Sequence, residues 1–141
     1  MKKYAKIGLG FLLFILFATF MRHVNTKDTE EKFASPQIGD YYVFENLMRN
    51  EGQTGSNFYK IKDIDEEYIY FYKPIIYWPL HPNLDRDMYS KAKGFDENEE
   101  MFSKNVIRVS HENIIRFRKN NSFSASTNNP SGIRLLQVYR D

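Results

Sequence analysis

A small, mainly β domain carried behind one N-terminal apolar helix is the fold class these 141 residues predict, with α+β as the alternative. Three observations predict it. Fifteen uncharged residues, Ile7 to Met21, follow Lys2, Lys3 and Lys6 and stop at Arg22. Beyond residue 40, short segments rich in Tyr, Phe, Val and Ile alternate with period two. Gly, Asn, Asp and Pro punctuate those segments at hairpin spacing.

The first element is the apolar run. A basic segment before an apolar stretch is the pattern of a secretory signal. Cleavage is disfavoured, because cutting after Ala18 or Thr19 puts Leu16 or Phe17 where a small residue is needed. As a helix the run spans about 22 Å, short of a hydrocarbon core of roughly 30 Å. Tyr4, Ala5 and the stems of Lys6 and Arg22 extend it by snorkelling. The expectation is an uncleaved signal anchor over residues 1–22, touching the membrane through residues 7–21; secretion after cleavage is the alternative. Three lysines before the run outweigh Arg22 and Lys27 after it, which places the N-terminus inside and the rest outside. Residues 23–36, with Asn-Thr-Lys-Asp-Thr-Glu-Glu-Lys at their centre, read as a polar stalk or short helical neck. The domain proper is expected over residues 37–141.

Within it, Tyr41–Met48 reads as a first strand and Arg49–Ser56, with Asn50, Gly52 and Gly55, as a hairpin loop. Asn57–Ile64 is a second strand and Asp65-Glu66 a tight turn. Glu67–Lys73 is the clearest strand, with Tyr68, Tyr70 and Tyr72 on one face and Ile69 and Phe71 on the other. Pro74 ends it, since proline cannot donate to a ladder. Pro74–Pro82 is apolar yet holds three prolines, so it reads as a packed loop. Asp85–Lys93 is expected to be a short helix stopped by Gly94, and Asp96–Glu100 a solvated acidic loop. Met101–Val109 is a fourth strand, and Ser110 an N-cap for a helix over His111–Lys119. Asn120–Gly132 is poor in apolar residues and reads as a loop, and Ile133–Arg140 is the fifth strand. Five antiparallel strands with one or two short helices suggest an SH3-like barrel or roll.

Composition narrows the function classes. From Arg22 onward there are 17 Lys and Arg against 18 Asp and Glu, so the domain is near neutral and nucleic acid is not an expected partner. The absence of Cys removes both a disulfide framework and a thiol for a lipid anchor. His81, Asp85 and Asp87 meet little of a zinc spacing, with Pro82 between them. Asp63, Asp65, Glu66 and Glu67 lack the glycine and terminal Glu of a calcium loop. Ser110, His111 and Glu112 are adjacent, whereas a catalytic triad converges from separate elements. Neither G-x-S-x-G nor a P-loop occurs. Asn120-Asn121-Ser122 matches a glycosylation pattern, irrelevant in a bacterial host. No catalytic residue, metal or cofactor is therefore expected.

Aromatic content, at 16%, stands above background. Tyr68, Tyr70 and Tyr72, with Tyr77 and Trp78 in the following loop, form the candidate binding residues, because Tyr and Trp dominate interface hot spots. Tyr41, Tyr42 and Phe44 in the neighbouring strand belong to the same aromatic set. The expectation is a membrane-anchored interaction module on the outer face of a bacterial cytoplasmic membrane, binding a protein or envelope polymer, as an immunity-type protein or a subunit of an envelope complex. A small envelope hydrolase, or a spacer without a specific ligand, is the alternative.

Overall fold

The computed structural model describes residues 2–78, 84–119 and 132–141. The chain divides into two compact units, Met1–Ser35 and Pro36–Asp141.

The first unit is one helix, α1 (Lys2–Ala34), which runs through the charged segment expected to be a stalk or neck. An i,i+4 pair between Lys32 and Asp28, at 2.6 Å, supports its last turns. Among the described residues no helix is long and apolar enough to cross a membrane.

The second unit comprises β1 (Tyr41–Glu45), β2 (Ser56–Ile64), β3 (Tyr68–Pro74), α2 (Arg86–Glu97), β4 (Phe102–Ser110), α3 (His111–Lys119) and β5 (Arg134–Tyr139). The strands form one antiparallel sheet in the order β4-β3-β2-β1-β5. Hairpins join the first three, and β5 returns to lie beside β1. The first strand stops three residues earlier than its composition suggests. Asn46 turns the chain with φ +60°, a conformation Asn tolerates, and its Oδ1 accepts from the Gly55 amide at 2.8 Å. A short 3-10 turn over Arg49–Glu51 completes the hairpin.

Helix α2 starts later and ends later than the sequence suggests. Asp85 caps it, its side chain accepting from the Met88 amide at 3.0 Å. Gly94 does not stop the helix, which runs on to Glu97. The extra turn is held at the sheet. Asp96, expected in a solvated loop, instead accepts from Lys60 at 2.5 Å and from the Tyr41 hydroxyl. These β2 and β1 contacts outweigh the modest cost of a glycine inside a helix. Ser110 does cap α3, its Oγ accepting from the Asn113 amide at 3.2 Å.

Each face of the sheet has its own core. On one, α2 lays Met88, Tyr89 and Ala92 against Tyr41, Val43 and Phe58, with Leu84 and Met101 closing the cluster. The Tyr89 and Tyr139 rings stack there at 4.7 Å. On the other face Phe44 is the hub, its ring 5.5 Å from Tyr59, 5.4 Å from Phe71 and 6.4 Å from Phe117 of α3. Tyr41, Tyr42, Val43 and Phe44 are thus all buried, because a central strand covered on both faces reads as a continuous apolar run. This removes Tyr41, Tyr42 and Phe44 from the set of surface aromatics expected from sequence.

Asp40 and Arg140 tie the two ends of this unit together. Arg140 donates Nε and Nη2 to the two carboxylate oxygens of Asp40, each at 2.7 Å, across the β1–β5 pair. Asp40 also accepts from the Gln37 amide at 2.9 Å.

Candidate functional site

The five candidate binding residues fall into two places. Tyr68, Tyr70 and Tyr72 stand on the α2 side of the sheet and are half-buried, while Ile69 and Phe71 point into the opposite core. The alternation of β3 produces this directly. Tyr72 lies nearest the α2 core, with its ring 6.3 Å from Phe102 and the Lys62 ammonium 5.9 Å from its centre. Tyr68 carries the Arg108 guanidinium 4.8 Å over its ring. The pairing of Tyr70 with Arg108 and of Tyr68 with Ser110 puts that cation on the same face.

Asp65 of the β2–β3 turn organises this surface. Asp65 accepts from the Tyr68 amide at 2.7 Å, the Glu67 amide at 2.8 Å and the Tyr70 hydroxyl at 2.7 Å. Those bonds, the Tyr68 amide first, hold its carboxyl below the usual carboxylate range. Tyr70 is raised in turn by the hydroxyl it gives to Asp65, and Tyr68 by its bond to Glu67. His111 reaches the same turn, its Nε2 2.8 Å from the Asp65 carbonyl oxygen. Glu112 pairs with Arg116 at 3.1 Å and Ser110 caps α3, so the Ser-His-Glu row is spread over three structural tasks. His81 lies outside the described residues, as does Asn120-Asn121-Ser122. No group of three or more His, Cys, Asp or Glu suited to a metal occurs among the described residues.

Tyr77 and Trp78 line a different feature. The segment after β3 bends at Ile75 and Ile76 and is held by the Ile75 amide donating to the Met101 carbonyl at 2.8 Å. It runs beside α2 and leaves an open groove of about 520 Å³ with largely apolar walls. One wall is Ile76, Tyr77 and Trp78; the other is Lys91, Gly94, Phe95 and Asn98 of α2 and its cap, with Glu100 beyond the helix end. The Trp78 ring lies 6.3 Å from Phe95 and packs on the α2 core. Tyr77 is pinned by its hydroxyl, which donates to the Thr54 carbonyl at 2.7 Å and accepts from the Thr54 amide at 2.9 Å.

Sequence reasoning took Gly94 for a helix stop and did not assign Ile76, Lys91, Phe95, Asn98 or Glu100 to a site. The available signal was Gly94 itself. The turn glycines Gly39, Gly52, Gly55 and Gly132 all have positive φ, whereas Gly94 is helical and has no backbone reason to be glycine. A Cβ placed on it would meet nothing within 4 Å.

No protein-family model, no curated protein and no solved structure matches the chain.

Proposed function

We propose that this protein is a membrane-tethered interaction module, held by residues 7–21 and presenting its β-rich domain outside the cytoplasmic membrane to bind a protein or envelope polymer through aromatic side chains. One observation carries the reading. Along α1 every residue from Leu12 to Phe17 is a large apolar side chain exposed to between 43% and 68%. Six consecutive helical residues point in all directions around the axis, so this surface is apolar all round rather than amphipathic. Such a helix calls for an apolar surrounding, and the fifteen-residue run with lysines before it and Arg22 after it suits a lipid bilayer.

Two features of the second unit support the binding half of the reading. Tyr68, Tyr70, Tyr72, Tyr77 and Trp78 remain accessible although both cores already hold large aromatic clusters. Rings left at a surface in pinned orientations cost little further entropy on binding. The strand order, with a short helix leading into a last strand beside the first, suits an SH3-like roll. The expected role is recognition, without catalysis or a cofactor.

Membrane fractionation, together with a reporter fused after Asp141, tests the placement. The fusion is expected to be membrane-bound and active only outside the cytosol; cytosolic reporter activity refutes it. Affinity capture from solubilised membranes, using wild type beside Tyr70→Ala and Trp78→Ala, tests the binding. At least one variant is expected to lose a partner that the wild type retains, and identical partner sets refute the aromatic surface.

A further inference from the structure

We infer that the groove between residues 76–78 and α2 receives an extended segment of a partner protein, one that inserts a large apolar side chain beside a Lys or Arg. The inference rests on the reading of the domain as an interaction module and adds where the partner sits and what its chemistry is.

Gly94 is the first argument. A glycine in the middle of a helix lowers helix stability relative to alanine, and no positive φ compensates here. The residue instead leaves open space at the wall of the groove, so that a visiting chain can come close to the helix backbone. The walls are the second argument. Ile76, Trp78 and Phe95 offer apolar faces, and the volume lies in the range that takes an apolar anchor. An aromatic-lined groove with a polar rim suits an extended peptide better than a flat protein surface.

Charge selects the occupant. Glu97, Glu99 and Glu100 are all exposed around the end of α2, and Glu100 lines the groove itself. The C-terminal end of the α2 dipole adds partial negative charge there. Lys91 stands toward the other end, about one turn before Gly94. A segment with its basic residue at the Glu100 end therefore matches the field, and one with an acid there opposes it.

The only Trp of the chain is Trp78, so intrinsic fluorescence reports on the groove directly. The full chain in lipid nanodiscs is used to select from a phage library of random linear peptides, with empty nanodiscs as counter-selection. Enriched peptides are then synthesised without Trp. They are expected to share a large apolar residue next to Lys or Arg and to shift Trp78 emission. They are expected to lose about tenfold in affinity on both Gly94→Leu, which fills the groove, and Glu100→Lys, which reverses its charge. Arg116→Ala, in the exposed Glu112–Arg116 pair of α3, is expected to leave them unaffected, and circular dichroism to show all variants folded. Peptides lost on Tyr70→Ala but retained by Gly94→Leu overturn the groove while keeping the interaction module. Peptides lost on Gly94→Leu but free of basic residues overturn the assigned chemistry. A library that yields no enriched peptide overturns the whole inference, and membrane capture then decides alone on the broader reading.

Discussion

Replacing Arg140 by Met should destabilise the folded domain by about 3–5 kcal/mol, the usual cost of stranding one member of a buried ion pair. The magnitude follows from the surroundings of Asp40. Its side chain is 1% exposed and, among the described residues, accepts two hydrogen bonds from Arg140 and one from the Gln37 amide. Arg140→Met removes the two charge-assisted bonds and leaves a carboxylate in the sheet with one neutral donor. The reverse change, Asp40→Asn, should cost less, about 1.5–3 kcal/mol, because the amide oxygen still accepts and the Arg140 side chain, 21% exposed, reaches water. The double variant should cost less than the two singles together, with a coupling energy of about 1–3 kcal/mol. Urea unfolding of the full chain in mild detergent, followed by Trp78 fluorescence, measures all three, since the only Trp lies in the second unit. In a thermal scan Arg140→Met should lower the midpoint by roughly 12–20 °C, at about 4 °C per kcal/mol for a domain of this size. The solvent-exposed Arg116–Glu112 pair is the control, worth less than about 0.5 kcal/mol. A loss below about 1 kcal/mol for Arg140→Met, or additive single variants, would refute the argument that this pair locks the first strand to the last.

Four other perturbations have stated outcomes. Phe44→Ala removes the ring that touches Tyr42, Tyr59, Phe71 and Phe117, and should cost about 3–5 kcal/mol in the same assay. Asp85→Ala removes the cap of α2 and should cost about 1 kcal/mol, with Asp85→Ser recovering most of it. Gly94→Ala should stabilise the domain by about 0.5–1 kcal/mol, because the added methyl touches nothing; a loss would show that the helix there is tighter than described. Burial pushes the hydroxyls of Tyr41, Tyr42, Tyr59 and Tyr89 well above their ordinary value of 10. Their folded form holds the proton more tightly than the unfolded one, so the stability they contribute is complete below pH 10 and is lost as pH rises beyond it. Ultraviolet titration should accordingly show these four ionising only as the domain unfolds, whereas simultaneous titration of all ten Tyr near pH 10 would contradict their burial.

Much of the secondary structure was legible because it rests on local chemistry. The alternation of Tyr68, Ile69, Tyr70, Phe71 and Tyr72 specifies a strand and its two faces without reference to any other segment. Asp65 and Ser110 act on amides two to three residues away, so a turn and a cap can be read from a few neighbours. The surface tyrosines were legible for the same reason, and Tyr77 and Trp78 stood out by type.

Chain neighbours alone determined the strands, the turns, the apolar run and the chemistry of the accessible aromatics. Tertiary structure decided which aromatics are core: Tyr41 and Tyr42 look like surface candidates until α2 and α3 cover opposite faces of one sheet. It also decided how far α2 extends, because the partners of Asp96 stand 36 and 55 positions away on β2 and β1. The bond between Asp40 and Arg140 spans 100 positions, and the groove beside Gly94 exists only where two segments fail to fill the space between them. Local preference is a property of a few adjacent residues, whereas burial, ion pairing and empty volume belong to residues brought together by packing, and no short stretch of sequence contains both partners.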